Sequence, residues 1–227
     1  MAPMAPENDP TRTWMAPAVP ARAVLRVKAS RFLADVAQAT SAAHADAHLK
    51  RLHAEFPQAT HHCWAFRAQD RAGCVIEQCS DAGEPSGSAG QPILRAMLAG
   101  GIEEATLVVV RWFGGTKLGV GPLGRAYRDA AAAALLAAGT QRRQHFMRLE
   151  ICFPFDISAA VRRALHRAGG TICEERASAH ATLVVRVPAA AAAALQDAVV
   201  NASRGKAEVL ALERTTGGAQ TTGRRAR

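Results

Sequence analysis

An unbroken apolar run, Ala105 to Val110 (A-T-L-V-V-V), lies between two glycine-rich stretches, and this arrangement constrains the fold most. A run without alternation buries both of its faces, which predicts a central strand in a sheet covered on both sides. The flanking stretches are D-A-G-E-P-S-G-S-A-G from Asp81 and R-W-F-G-G-T-K-L-G-V-G-P-L-G-R-A-Y from Arg111. Each leads into a helical pattern. Ile93, Leu94, Met97 and Leu98 form the inward face of the first helix, and Gly139 closes the long alanine-rich second one.

Other elements follow from periodicity and caps. A strand is expected over Val27 to Val36. Thr40 or Ser41 caps a helix with the stripe Ala45, Leu49, Leu52 and Phe56, ended by Pro57. The strand His61 to Phe66 turns His62, Trp64 and Phe66 to one face and His61, Cys63 and Ala65 to the other. A further strand covers Cys74 to Cys79. From residue 141 the order is strand (Met147 to Phe153), helix (Ser158 to Ala168), strand (Thr171 to Glu175), strand (Ala181 to Val187), helix (Ala189 to Ala202), strand (Ala207 to Leu212). That βαββαβ order predicts a ferredoxin-like sandwich. The expected organisation is a disordered proline- and alanine-rich leader (1–22), a first domain (23–140), a second domain (141–214) and a flexible basic tail (215–227).

The two glycine loops carry the chemistry. Pro92 and Pro122 are expected at the first position of their helices, where a missing N–H costs nothing. Gly87, Gly114, Gly115, Gly119 and Gly121 let the backbone turn tightly and let a ligand approach it. Free amides at a helix start favour an anion. Arg111, Lys117 and Arg125 bracket the second loop and could neutralise phosphate, with Ser86, Ser88 and Tyr127 in the same segments. Against this, Ser88 with Gln91 fits a capping box, and Asp81 and Glu84 would repel an anion. A phosphate surface and plain loop architecture both fit the residues. His61 and Cys63 share a strand face, but no further ligand pair is spaced to complete a metal shell, so no metal or cofactor is assigned.

The net charge of +9 is unevenly spread: residues 141–214 carry +4 and the last thirteen +3. On the helix near Val161, Arg162, Arg163, His166 and Arg167 fill the arc opposite Val161, Ala164, Leu165 and Ala168. Arg142, Arg143 and Arg148 precede it, and Arg204 and Lys206 follow. A solvated face and an RNA-phosphate surface both account for this pattern. The second domain has no tryptophan or tyrosine for base stacking. No apolar run approaches the ~18 residues of a membrane helix. The five cysteines have no C-x-x-C spacing and are read as reduced thiols of a cytoplasmic protein.

Four blocks in the first domain closely resemble the YigZ/IMPACT family. They are S-R-F-L-A from Ser30, A-T-H-H-C-W-A-F-R from Ala59, S-D-A-G-E-P-S-G-S-A-G-Q-P-I-L from Ser80 and V-V-V-R-W-F-G-G-T-K-L-G-V-G-P-L-G-R-A-Y from Val108. The resemblance implies an α+β chain with two domains. The first is of βαβ type, like a small-subunit ribosomal protein or GHMP-kinase domain, and the second is ferredoxin-like. It also implies a cytosolic role in regulating translation. The chain departs from the family pattern at Ala82, Trp112 and Pro122, where aspartate, tyrosine and glycine are common. The lost aspartate weakens any paired-carboxylate mechanism. No catalytic residue is carried over.

The leading expectation is a non-catalytic binding protein that engages RNA or a ribosome-associated factor. One rival is an enzyme acting on a small phosphate-bearing ligand, with Glu84 or His61 as acid or base. The other is a protein–protein adaptor anchored by Trp112, Phe113 and Tyr127.

Overall fold

The structure is a computed structural model that describes residues 9–70 and 73–218. The chain divides into two compact units, Trp14–Arg142 and a second built mainly from Arg143 onward. Both are α+β.

In the first unit, β1 (Thr13–Pro17) and β2 (Ala21–Val27) are followed by β3 (Ser30–Gln38) and helix α1 (Ala42–Glu55). Then come β4 (His61–Gln69), β5 (Val75–Ser80), helix α2 (Gly90–Ala99), β6 (Ala105–Trp112) and helix α3 (Val120–Ala138). The sheet runs β2-β3-β6-β4-β5, and every neighbouring pair is antiparallel. β3 and β4 are therefore parallel strands joined through α1 and separated by β6, a split βαβ unit.

Burial explains the strand patterns. Leu107 and Val109 of β6 join Phe32, Cys63, Ile93, Met97 and Tyr127 in the core under α2 and α3. Val108 and Val110 face the other way, onto Leu33 and Leu52 beside α1. β6 is covered on both faces, so its run shows no alternation. Ser41 caps α1 by accepting from the His44 amide at 3.3 Å.

The second unit contains the strand β7 (Thr140–Phe153), which enters it from the first unit, and a 3-10 turn (Phe155–Ile157). These are followed by α4 (Ser158–Arg167), β8 (Thr171–Ala177), β9 (Ala181–Pro188), α5 (Ala189–Ala202) and β10 (Glu208–Gly218). The strand order β10-β7-β9-β8 is antiparallel throughout, as in a ferredoxin-like sandwich. Leu149, Ile151, Leu183, Val185 and Val187 face Val161, Leu165, Leu195 and Val199. The alternate residues of β7, Arg148 and Glu150, lie on the face without helices.

Several expectations are corrected. Residues 13–22 are not a disordered leader: Trp14 and Ala16 are buried, and the Met15 carbonyl accepts from the Glu103 amide. Prolines do not prevent an ordered strand where the missing N–H faces no partner. The expected strand from Val27 is two strands joined at Lys28 and Ala29. The start of the expected flexible tail, through Gly218, pairs with β7, while residues 1–8 and 219–227 lie outside the described residues. Leu98 is 42% exposed and Ala96 is buried in its place.

The prolines stand at the third helical position, not the first. The first intrahelical bonds are donated by Ile93 and Leu123, so the three preceding positions of each helix need no donor. Gly90 opens α2 against β5: a Cβ there would stand 2.8 Å from the Ser80 backbone. Gly90→Ala should therefore lower stability by about 1–3 kcal/mol, the usual range for an overpacked position. A urea midpoint below that of the parent would show this, and an unchanged midpoint would contradict it.

Candidate functional site

The site begins with one carboxylate. Glu84, in the loop between β5 and α2, is almost fully buried. A buried charge needs partners, and Glu84 Oε1 has two. Arg111 Nη1 of β6 and the Tyr127 hydroxyl of α3 both donate to it at 2.6 Å. Arg111 also reaches the buried Ser30 Oγ at 3.3 Å, which accepts the Gly114 amide at the same distance. Gly114 is required there because a Cβ would come within 2.1 Å of the Ala29 backbone.

Both strong donors go to Oε1. Oε2 instead lies 3.8 Å from His61 Nε2. The other ring nitrogen, Nδ1, is 2.9 Å from the Ala82 carbonyl, which can only accept. The proton of a neutral His61 is thus at Nδ1, and Nε2 presents a lone pair. Ala82 makes this contact with φ at 45°, a left-handed conformation that aspartate or asparagine tolerates better than alanine.

Cys63 lies behind the site, its sulfur 3.0 Å from the Asp81 carbonyl and 3.3 Å from the Tyr127 hydroxyl. Burial pushes its thiol up to about 12, so it is neutral at ordinary pH and is not a ready nucleophile. Burial and the neighbouring Cys63 likewise hold the Tyr127 phenol above its usual range.

A cavity of about 440 Å³ opens over this network. Glu84 and Pro85 of the first loop and Lys117 to Val120 of the second line it, with His61 and Arg111 from the sheet and Phe113 just past the end of β6. The two glycine loops therefore meet in one cleft.

The two helix starts differ chemically. At α2 the Asp81 carboxylate accepts from the amides of Gly87, Ala89 and Gly90 at 2.8–2.9 Å. The chain's own anion fills that position, so Asp81 organises the loop and closes this helix start to an external anion. The Ser88–Gln91 capping box does not form. Ala89 is the N-cap, and the Ser88 hydroxyl donates to the Pro85 carbonyl at 2.6 Å. At α3, Gly119 is the N-cap with φ at 82°, and no side chain caps the helix.

Other candidates lie elsewhere. His62 points to the α1 face, stacked on His53 with ring centroids 3.9 Å apart. Burial, with His53 beside it, lowers its pKa. Ser86 and Arg125 are exposed and do not line the cleft. Tyr127 is fully buried, so it cannot anchor an external partner. Phe113 is 44% exposed, and Trp112 is covered by Arg31, whose guanidinium lies 4.6 Å from the ring centre. Sequence reasoning missed Ser30 and Thr60, which lines the cleft and accepts from the Phe113 amide at 3.0 Å, and it weighed Cys63 only as a metal ligand or nucleophile.

A second cavity, about 680 Å³, lies beside α1 and is lined by Arg22, Asp35, His48 and Arg51. Its charges satisfy one another: Asp35 accepts from Arg22, from His48 Nε2 at 2.7 Å and from Arg51 at 3.2 Å.

In the second unit, Arg162 of the basic arc is ion-paired with Glu175, while Arg163 and Arg167 are exposed. Arg148 joins Glu174 at 2.9 Å and Glu213 at 3.2 Å on the helix-free face, a mixed charge lattice and not a basic patch. Arg142 and Arg143 belong to β7, and exposed Arg204 and Lys206 follow α5.

Fold and site together define a two-domain α+β protein with a two-loop cleft in its first domain. A family model for the Impact N-terminal domain matches residues 28–135, and one for a domain of unknown function (DUF1949) matches residues 151–206. The chain is 34% identical over 201 residues to the IMPACT family member YigZ of Escherichia coli K12, covering 88% of this chain and 98% of that one. It is 46% identical over 112 residues to an IMPACT family member of Thermus thermophilus, covering 49% and 58% of the two chains. A crystal structure of a hypothetical protein matches with TM-score 0.63 at 33% identity, over 88% of this chain and 98% of that one. The chain belongs to the IMPACT family. No helix among the described residues is long and apolar enough to cross a membrane.

The Asp81 cap gives an acid-stability prediction. Burial opposes its ionisation, but the amides of Gly87, Gly90 and Ala89 outweigh burial, and its pKa is lowered. The stabilisation is complete above the ordinary aspartate value near 3.9 and is lost as pH falls through the lower folded value. Asp81→Ala should cost about 1–2 kcal/mol at pH 7, by analogy with a lost helix cap. That difference should shrink in urea titrations carried into the acid range. A pH-independent difference would refute the assignment.

Proposed function

We propose that this IMPACT-family chain is a translation-linked regulatory protein that acts by binding RNA. The observation carrying this reading is the uncapped start of α3, which lines the cleft beside the exposed Lys117. Helix-start amides and a lysine suit a phosphate group. The equivalent position at α2 is already filled by Asp81, so the attraction is confined to one end of the cleft. Arg163 and Arg167 in the second unit add sequence-independent attraction, and Phe113 offers an exposed aromatic face.

The enzymatic alternative has one specific support: Glu84, His61 and Lys117 line the same cavity. Two facts favour binding over catalysis. Glu84 Oε1 is committed to Arg111 and Tyr127, and Cys63 is held as a neutral thiol.

Affinity for a single-stranded oligoribonucleotide should fall linearly with salt on logarithmic axes. Each lost phosphate contact should reduce the slope by about 0.7. Replacing Arg163 and Arg167 together by alanine should reduce it by about 1.4, on the same scale. Adding Arg162→Ala should change little, because that guanidinium already holds Glu175. Fluorescence anisotropy at several salt concentrations measures this, and absent or salt-insensitive binding would overturn the proposal.

A further inference from the structure

We infer that the first-domain cleft is a subsite for a terminal ribonucleotide, one whose 2′ and 3′ hydroxyls are both free. This inference rests on the RNA-binding reading and names what the cleft itself recognises.

Two acceptors, His61 Nε2 and Glu84 Oε2, face each other in the cleft with no donor between them. His61 Nδ1 donates to the Ala82 carbonyl, so wherever the ring carries a single proton Nε2 accepts. Glu84 Oε1 takes both buried donors, which leaves Oε2 facing Nε2 at 3.8 Å. Two acceptors cannot bond to each other, and 3.8 Å is too long for a hydrogen bond in any case. A ligand with two adjacent hydroxyls fits this pair, donating one to each. The cis-diol of ribose has that form, whereas a deoxyribose or a chain-internal nucleotide offers one hydroxyl at most.

The α3 side of the cleft suits the 5′-phosphate of the same nucleotide. Lys117 is exposed there, and the 19-residue α3 directs its first amides and dipole at the cavity from an N-cap glycine. Arg111 neutralises Glu84, so the carboxylate does not cancel the attraction. Phe113, Leu118 and Leu123 add apolar walls that can cover a base or sugar face. The volume of about 440 Å³ lies within the ordinary range for small-ligand sites, roughly 300–1,000 Å³.

Calorimetric titration of the full chain with AMP, 2′-deoxy-AMP, 3′-deoxy-AMP and inorganic phosphate tests the inference. AMP should bind about tenfold or more tightly than the analogue that loses the bond to the Glu84 carboxylate, and about threefold to tenfold more tightly than the one that loses the bond to neutral His61 Nε2. His61→Ala should bring the AMP to 3′-deoxy or 2′-deoxy ratio down toward one, because one of the two acceptors is gone. Lys117→Ala should weaken all three nucleotides by a common factor and leave the ratios intact. Equal wild-type affinity for AMP and both deoxy analogues would overturn the subsite, as would full discrimination in His61→Ala with an unchanged melting temperature.

Oligoribonucleotides ending in a free diol or in a 3′-phosphate separate the two sources of such a nucleotide. A preference for the free diol that His61→Ala abolishes identifies the RNA 3′ end. Discrimination confined to AMP, with no oligonucleotide binding, keeps the subsite and removes the RNA reading. Steeply salt-dependent RNA binding with no preference for diol or ribose keeps the RNA reading and removes the subsite.

Discussion

The first domain is organised around a buried negative charge. Glu84 comes from a loop, Arg111 from the central strand and Tyr127 from the long helix, and their hydrogen bonds converge on one carboxylate oxygen. Leaving a buried charge unpaired costs several kcal/mol, so loop, strand and helix are held in mutual register. The other consequences follow from this. With Oε1 occupied, Oε2 is turned toward His61, and the loop that carries Glu84 also brings the Ala82 carbonyl to the opposite ring nitrogen. One buried charge thus sets both the shape of the cleft and the polarity of its floor.

The two helix starts show how similar local sequence can have opposite chemical outcomes. Both are rich in glycine, both have proline at the third helical position, and neither is capped by its own N-cap side chain. At α2 the Asp81 carboxylate, six to nine residues upstream, collects three amides and serves as a built-in anion. At the start of α3 the Glu84 carboxylate in the cleft is paired with Arg111, and Lys117 adds a cation. The first arrangement makes a rigid wall, and the second leaves a place for an external anion.

Much of this was readable in the sequence because it follows from short periods. The two-sided run of β6, the opposed faces of β4 around His61 and His62, the Ser41 cap and the βαββαβ order all follow from neighbours a few residues apart. What was not readable depended on long-range geometry. Asp81 looked like an obstacle to anions because its role requires the loop to fold back on itself. Tyr127 looked like a surface anchor, although it is buried beneath Glu84. The strand at Thr13–Pro17 was hidden among prolines and alanines, although Trp14 was an available signal. Arg162 belonged to a regular basic stripe, and only the position of Glu175 on the next strand shows that its charge is occupied. Alanine blurred the α2 pattern in the same way, placing Leu98 inside where Ala96 is found.

The central claim is that the anion-receiving end of the cleft is the start of α3, while the start of α2 is closed by Asp81. Backbone amide NMR during titration with inorganic phosphate addresses it most directly. Progressive shifts are expected at Val120 and Gly121, with Gly87, Ala89 and Gly90 unmoved. Shifts centred on Gly87, Ala89 and Gly90, with Val120 and Gly121 silent, would contradict it.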